Sequence, residues 1–327
     1  MTIRTGLIGL GMMGRHHARV MRSIEGMELV AVADAFGDSH GVAGDLPLFA
    51  SVDELIDYGV DAVMCAVPTG LHEEVGLKLA EAGVHAMVEK PIAENVAAGE
   101  RLAEAFASRD LIGAVGHIER FNPALLELRR RIDAGQLGQV YQVATRREGP
   151  FPSRIADVGV VKDLATHDID LTAWLNRSKY EQISANVVKI TGRAYEDMVV
   201  AVGQLSNGVI VNHTVNWLSA SKTRQTVVTG ENGVFVADTL TADLTFFENG
   251  TVRSTWQPVE NFRGVTEGDV VRYAFEKQEP LKTEHEAWRD AILGQPSEYV
   301  SMAEGLETLK VAELMIESAR TGETKRA

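Results

Sequence analysis

Six residues near the start constrain this chain more than any others: Gly9-Leu10-Gly11-Met12-Met13-Gly14. They follow a short apolar run, Ile3 to Ile8, that reads as a buried strand, and they open a segment, Arg15 to Ser23, that reads as a helix. Placed between a strand and a helix, such a loop has a mechanical meaning. The first glycine lets the chain turn tightly, the second lets a pyrophosphate approach the backbone, and the third lets helix and strand pack closely. The helix N-terminus then offers N–H groups and a partial positive charge to phosphate. Gly9, Gly11, Met12, Met13 and Gly14 are therefore expected to hold a dinucleotide. Asp34 closes a second apolar run, Glu28 to Ala33, and lies twenty positions beyond Gly14, the distance at which a carboxylate meets the adenosine ribose. A carboxylate accepts from both ribose hydroxyls and repels a 2′-phosphate. No cation follows it in Ala35-Phe36-Gly37, so NAD is expected rather than NADP.

The first third continues in the same grammar. Apolar runs at Ala62–Ala66, His85–Val88 and Ile112–Val115 alternate with helical segments at Leu71–Ala82 and Asn95–Ser108. This predicts a Rossmann domain, a doubly wound parallel sheet, over residues 1–119. Beyond Gly116 the pattern changes. A helix over Pro123–Asp133 is followed by alternating or β-branched runs from Val140 to Phe247, broken by one helix at Asp163–Leu175. Asn207-Gly208 and Asn249-Gly250 read as hairpin turns. Residues 120–327 are expected to form a largely antiparallel, open-sheet α+β domain, closed by helices at Glu284–Leu293 and Met302–Ala319. The whole is α/β plus α+β. The small, polar tail from Thr321 to Ala327 is expected to fray.

Composition narrows the function. A chain of 327 residues with a formal charge of −14 is poorly suited to non-specific nucleic-acid binding. Arg129-Arg130-Arg131 reads as the solvated face of a helix. A single cysteine, Cys65, excludes a disulfide framework and reads as a packed strand residue. No run approaches membrane-spanning length, and a cytoplasmic location is expected.

Two clusters outside the glycine loop carry chemistry. Glu89-Lys90-Pro91 ends a parallel strand, and carboxyl ends face the ligand in such sheets. Lys90 could steady a developing alkoxide there; a surface lysine before a helix is the alternative. Asp163 and His167 are four apart, so on a helix they share a face, and a histidine beside a carboxylate is a candidate general base. Asp168 and Asp170 fall on other faces and read as capping or solvated residues. His16 and His17 are expected to face solvent or the loop. His117 ends a strand, where it is a candidate substrate contact.

Together these segments resemble the glucose–fructose oxidoreductase / inositol dehydrogenase (Gfo/Idh/MocA) family over nearly the full length. The likeness rests on the glycine loop, Ala66-Val67-Pro68-Thr69 with His72, Glu89-Lys90-Pro91, Asp163-x-x-x-His167 with Asp170, and Glu196-Asp197 before Asn207-Gly208 and Trp217. The resemblance implies a cofactor site that includes Ala66, Val67, Pro68, Thr69, His72, Glu89 and Lys90. It also implies that Lys90, Asp163 and His167 act together at the nicotinamide, with no metal. A cis bond between Lys90 and Pro91 is a further implication. Within the family the chain is similar to UDP-N-acetylglucosamine 3-dehydrogenases in Gly116–Pro123 and Arg147–Val160. This implies a UDP-linked amino sugar as substrate, with Arg120, Arg147 and Arg154 as candidate substrate residues. Guanidinium suits phosphate, although these arginines could equally pair with the chain's many acids. The alternatives are an inositol or free-sugar dehydrogenase, an NAD-dependent glycosidase, and a non-catalytic NAD-binding regulator. A homodimer or homotetramer is expected through the second sheet. There Val209, Val211 and His213 alternate with Ile210, Asn212 and Thr214, so one row must face away from the core.

Overall fold

The apolar runs of the first third become parallel strands in the computed structural model, which describes residues 2–152, 158–250 and 266–327. β1 (Ile3–Ile8), β2 (Met27–Ala33), β3 (Leu48–Phe49), β4 (Ala62–Cys65), β5 (His85–Glu89) and β6 (Gly113–Gly116) form one sheet in the order β3-β2-β1-β4-β5-β6. All of its pairings are parallel. The order reverses at β1 and β4, and doubly wound sheets bind ligands in the crevice at that switch. Helices α1 (Met12–Met21), α2 (Val52–Asp57), α3 (His72–Glu81) and α4 (Val96–Ala107) connect the strands. Ser51 and Asn95 start two of them by accepting the N–H groups of Glu54 and Ala98. β3 and α2 have too few residues to print a period in the sequence. Cys65 is wholly buried in β4, and burial pushes its thiol up to about 12.

The compact unit built on this sheet is discontinuous. It takes the chain up to Ile118 and then Glu279–Glu313, so the expected assignment of everything after 119 to one second domain does not describe that returning segment. The reason is unfinished burial. A parallel sheet has two apolar faces to cover. On one, Leu281 and Trp288 of α7 (Pro280–Ile292) pack with Ile3, Leu7, Met21 and Met64. On the other, Met302, Leu306 and Leu309 of α8 (Met302–Thr321) pack with Leu102, Phe106 and Val115.

The second unit comprises Glu119–Gln278 and Leu314–Ala327. Its helix α5 (Pro123–Asp133) begins on Asn122, which accepts the Ala124 N–H. Its sheet contains β7 (Val140–Pro150), β8 (Tyr180–Val188), β9 (Met198–Leu205), β10 (Ile210–Asn216), β11 (Leu218–Gly230), β12 (Gly233–Asp238), β13 (Asp243–Gly250), β14 (Thr266–Arg272) and β15 (Lys325–Arg326). The order is β14-β13-β12-β11-β7-β10-β9-β8-β15, antiparallel except where β7 meets β10. Along β9, Val199, Ala201 and Leu205 are buried while Val200 and Val202 are exposed. Two expectations change here. Asn249-Gly250 does not turn. It ends β13, paired with Glu267 and Thr266, while the Asn249 N–H donates to the Asn232 carbonyl in the turn between β11 and β12. The tail does not fray, because Lys325 and Arg326 pair with Ile183 and Gln182 at the sheet edge.

Trp288 is wholly buried on the helix that completes the first unit. Trp288→Ala is expected to cost about 3–5 kcal/mol in urea unfolding. A loss below about 1 kcal/mol would show that the helix contributes little to that core.

Candidate active site

The three glycines of the loop are required for different reasons. Gly9 has φ +93°, and a Cβ there would stand 2.5 Å from the Ala66 carbonyl carbon. At Gly14 a Cβ would stand 1.9 Å from the Gly9 oxygen, so close helix–strand packing demands its absence. Gly11 has an ordinary φ of −70°, and nothing in the protein lies within 4 Å of a Cβ placed there. The fold itself has no need of a glycine at 11. The open space fits a pyrophosphate approaching the N-terminus of α1, where Met12 and Met13 begin the helix without a capping side chain. Asp34, at the end of β2, is tied to this loop. Its carboxylate accepts the N–H of Leu10 at 2.7 Å and of Phe36 at 2.8 Å. Ala66, Val67, Pro68 and Thr69 follow β4 and are half-buried or exposed.

Lys90 follows β5 and is joined to Pro91 by a cis bond. The residues beneath it form a buried polar set. One Glu89 oxygen accepts the Lys90 N–H at 3.0 Å, and the other lies 2.9 Å from His17 Nε2. His17 Nδ1 lies 2.8 Å from His285 Nε2. The pattern is satisfied with both rings neutral when each carries its proton on Nε2. Burial would push the Glu89 carboxyl up, but His17 and Lys90 hold it below the usual range. His17 thus faces inward, contrary to expectation. The signal was its spacing: it shares one face of α1 with Gly14, Val20 and Met21, all buried. His72 is also buried, its two ring nitrogens each 3.0 Å from a main-chain oxygen, of Pro91 and of Val67. Burial lowers its pKa, and a neutral ring donates through one nitrogen only. The ring thus joins the ends of β4 and β5. His117 is buried just beyond β6.

In the second unit, Asp163 and His167 sit where a π turn, Val161–Ala165, runs into α6 (Thr166–Asn176). Sequence spacing predicted an α-helix throughout. Single π turns of this kind occur often at functional sites. Both side chains are buried. Glu196 anchors the turn by accepting the Val161 N–H at 3.0 Å, and a Cβ on Gly159 would overlap its carboxylate at 2.1 Å. Asp197 accepts from the N–H groups of Ile190 and Thr191.

Three expected substrate residues need correction or fall outside the description. Arg147 is buried and bonded to Asp168, with Nη2 3.0 Å from the carboxylate, and to Glu119 at 2.7 Å. Arg120 is likewise buried and grips Asp170 through Nε at 2.7 Å. Both arginines meet internal acids, and Asp168 and Asp170 are buried ion-pair partners rather than solvated groups. Burial opposes the Arg147 charge, but the two carboxylates outweigh it and raise its pKa above the ordinary range. Arg154 lies outside the described residues. Glu119, unremarked in the sequence, completes the Arg147 cluster.

Residues 3–117 match the profile of the Gfo/Idh/MocA oxidoreductase family, NAD-binding Rossmann fold, and residues 125–236 match that family's C-terminal domain. UDP-N-acetylglucosamine 3-dehydrogenase of Acidithiobacillus ferrooxidans is 36% identical over 214 residues, spanning 64% of this chain and 66% of that enzyme, just under two thirds of its length. Inositol 2-dehydrogenase 2 of Saccharopolyspora erythraea is 28% identical over 99% of this chain and 95% of its own. A solved structure of the Acidithiobacillus enzyme superposes with a TM-score of 0.84, at 28% identity over 98% of both chains. Among the described residues no helix is long and apolar enough to cross a membrane.

Gly11→Ala is expected to leave the melting temperature unchanged and weaken NAD at least about tenfold in calorimetry, because only the ligand needs that space. Gly14→Ala should lower the melting temperature itself. The reverse pattern would remove Gly11 from the cofactor site. Glu89 and Glu119 both titrate below the ordinary value of 4.5 when folded; burial raises each, but His17 and Arg147 respectively outweigh it. Their stabilisation is present above that value and lost as pH falls through the folded pKa. The melting temperature should therefore drop below about pH 5; a flat profile to about pH 3 would contradict it.

Proposed function

Because the chain belongs to the Gfo/Idh/MocA family of oxidoreductases and carries its NAD-binding Rossmann fold, we propose that it oxidises the 3-hydroxyl of a UDP-N-acetyl amino sugar to a keto sugar. The observation that carries the chemistry is the buried π turn bearing Asp163 and leading to His167. The choice of sugar is supported by the likeness to UDP-N-acetylglucosamine 3-dehydrogenase. In this reading His167 takes the hydroxyl proton as general base. Lys90 lends its charge to the developing alkoxide. Asp163 orients His167 and the sugar. Bound NAD supplies the acceptor for the hydride released from carbon. The glycine loop and Asp34 hold it, with free ribose hydroxyls favoured over a 2′-phosphate. The exposed outer row of the second sheet, with Val200, Val202, Ile210 and Phe247, supports assembly into a homodimer or homotetramer.

His167→Ala and Lys90→Ala should each slow turnover by about 10²–10⁴-fold while leaving NAD affinity nearly intact. Lys90→Met separates the lysine's charge from its packing. The wild-type protein with NAD and UDP-N-acetylglucosamine should form NADH and a product two mass units lighter. Oxidation of myo-inositol without turnover of the UDP-sugar would replace this reading with the inositol one. Light scattering at micromolar concentration should give a multiple of the chain mass of 35.6 kDa; a single-chain mass would remove the assembly.

A further inference from the structure

In this chain acidic residues outnumber lysine and arginine 46 to 32, so a cation rarely lacks an acid. In the second unit Arg120, Arg129, Arg146, Arg147 and Arg193 each have a carboxylate within 4.0 Å. Arg224, half-buried on β11, has none among the described residues. Its Nη1 donates instead to two main-chain carbonyls, of Glu148 at 2.6 Å and of Thr223 at 2.8 Å. Those bonds fix the guanidinium plane and leave Nε and Nη2 to donate elsewhere. Lys222, exposed two residues earlier, likewise meets no acid among the described residues.

The local backbone brings this pair of cations together. The ladder between β11 and β7 shifts register between Leu218 and Thr223, opposite Gly149. A Cβ on Gly149 would stand 3.4 Å from Lys222 Cγ and 4.0 Å from Arg224 Nη1, so both cations lie beside this glycine. Arg224 also lies within electrostatic reach of Asp163, Asp168 and Glu119. Burial and the neighbouring Arg147 disfavour its charge, and the acids only partly offset them. A guanidinium held by two carbonyls through Nη1, with no carboxylate within 4.0 Å among the described residues, presents Nε and Nη2 to an anion.

We propose that Arg224, assisted by Lys222, seats an oxyanion carried by the substrate. This assignment rests on the sugar-dehydrogenase reading above and replaces Arg147 and Arg120 as the phosphate contacts. A nucleotide-sugar diphosphate and a sugar-acid carboxylate share the required chemistry, two oxygens matched to a guanidinium fork. The diphosphate follows from the UDP-sugar reading.

Calorimetry of the full-length protein with NAD measures UDP and glucuronate on wild type, Arg224→Met, Arg224→Lys and Lys222→Ala. The expected result is UDP binding to wild type, weakened at least about tenfold by Arg224→Met. Arg224→Lys should restore part of it, Lys222→Ala should weaken it about threefold, and NAD affinity should stay unchanged. In turnover with UDP-N-acetylglucosamine, Arg224→Met should raise KM far more than it lowers kcat. Wild-type binding of UDP that Arg224→Met leaves intact overturns the inference while the UDP-sugar reading stands. Binding of glucuronate but not UDP, lost in Arg224→Met, sinks the UDP-sugar reading and supports the inference. Binding of neither ligand overturns both. If Arg224→Met fails to fold, unchanged affinity in both Arg224→Lys and Lys222→Ala overturns the inference.

Discussion

The second unit is organised around charges it buries. Arg147 meets Asp168 and the half-buried Glu119, and Arg120 meets Asp170, with both arginines and both aspartates shielded from solvent. Removing one partner of such a pair costs about 3–5 kcal/mol, because the other charge is left uncompensated. At about 100° per residue, Asp168 and Asp170 leave α6 on either side of His167. One is gripped from β7 and the other from the 3-10 turn Ile118–Phe121. The helix cannot rotate without stranding a charge, so the ion pairs on either side fix the direction in which His167 leaves it. On the other side of the π turn, Glu196 holds the Val161 N–H and fixes where Asp163 begins.

A comparable device underlies the first unit. Glu89 has one oxygen on the Lys90 N–H and the other on His17, which is backed by His285. His72 spans the two loops that flank this point. Lys90 in the first unit and His167 in the second thus each sit beside buried polar groups that pair with one another. Water is kept from those groups, which strengthens each contact and makes each missing partner more costly.

Most of the architecture was legible because it rests on local signals. Short apolar runs, glycines at fixed spacing and alternation along β9 and β10 each reflect one element meeting one neighbour. The glycine loop between a strand and a helix was legible for the same reason, while Lys90, Asp163 and His167 were singled out by a strand end and by four-residue spacing, and their roles remain proposals. What was not legible depends on distant partners. Arginine has one chemistry for carboxylate and phosphate alike, so Arg147 and Arg120 read as substrate ligands until Asp168 and Asp170 stood opposite them. Arg224 offered no motif; its two carbonyl partners, one of them on β7, show only in the fold. The tail read as frayed because its sheet partner, β8, lies far back in the chain. His17 could have been placed by its helical face, and the π turn could not, since its spacing differs from an α-helix by a single residue per turn.

The discontinuity of the first unit has a consequence for how the chain is made. The parallel strands leave the ribosome well before Trp288, Leu306 and Leu309, which cover their faces. Nearly half of the chain, Glu119 to Gln278, is made in between and can settle most of its own sheet meanwhile. The parallel strands thus stay partly uncovered while the residues between them and their covering helices are made. The order of synthesis and the completion of this core are therefore separated by a whole unit, and the nascent dinucleotide-binding sheet is the segment for which a chaperone's cover would matter most.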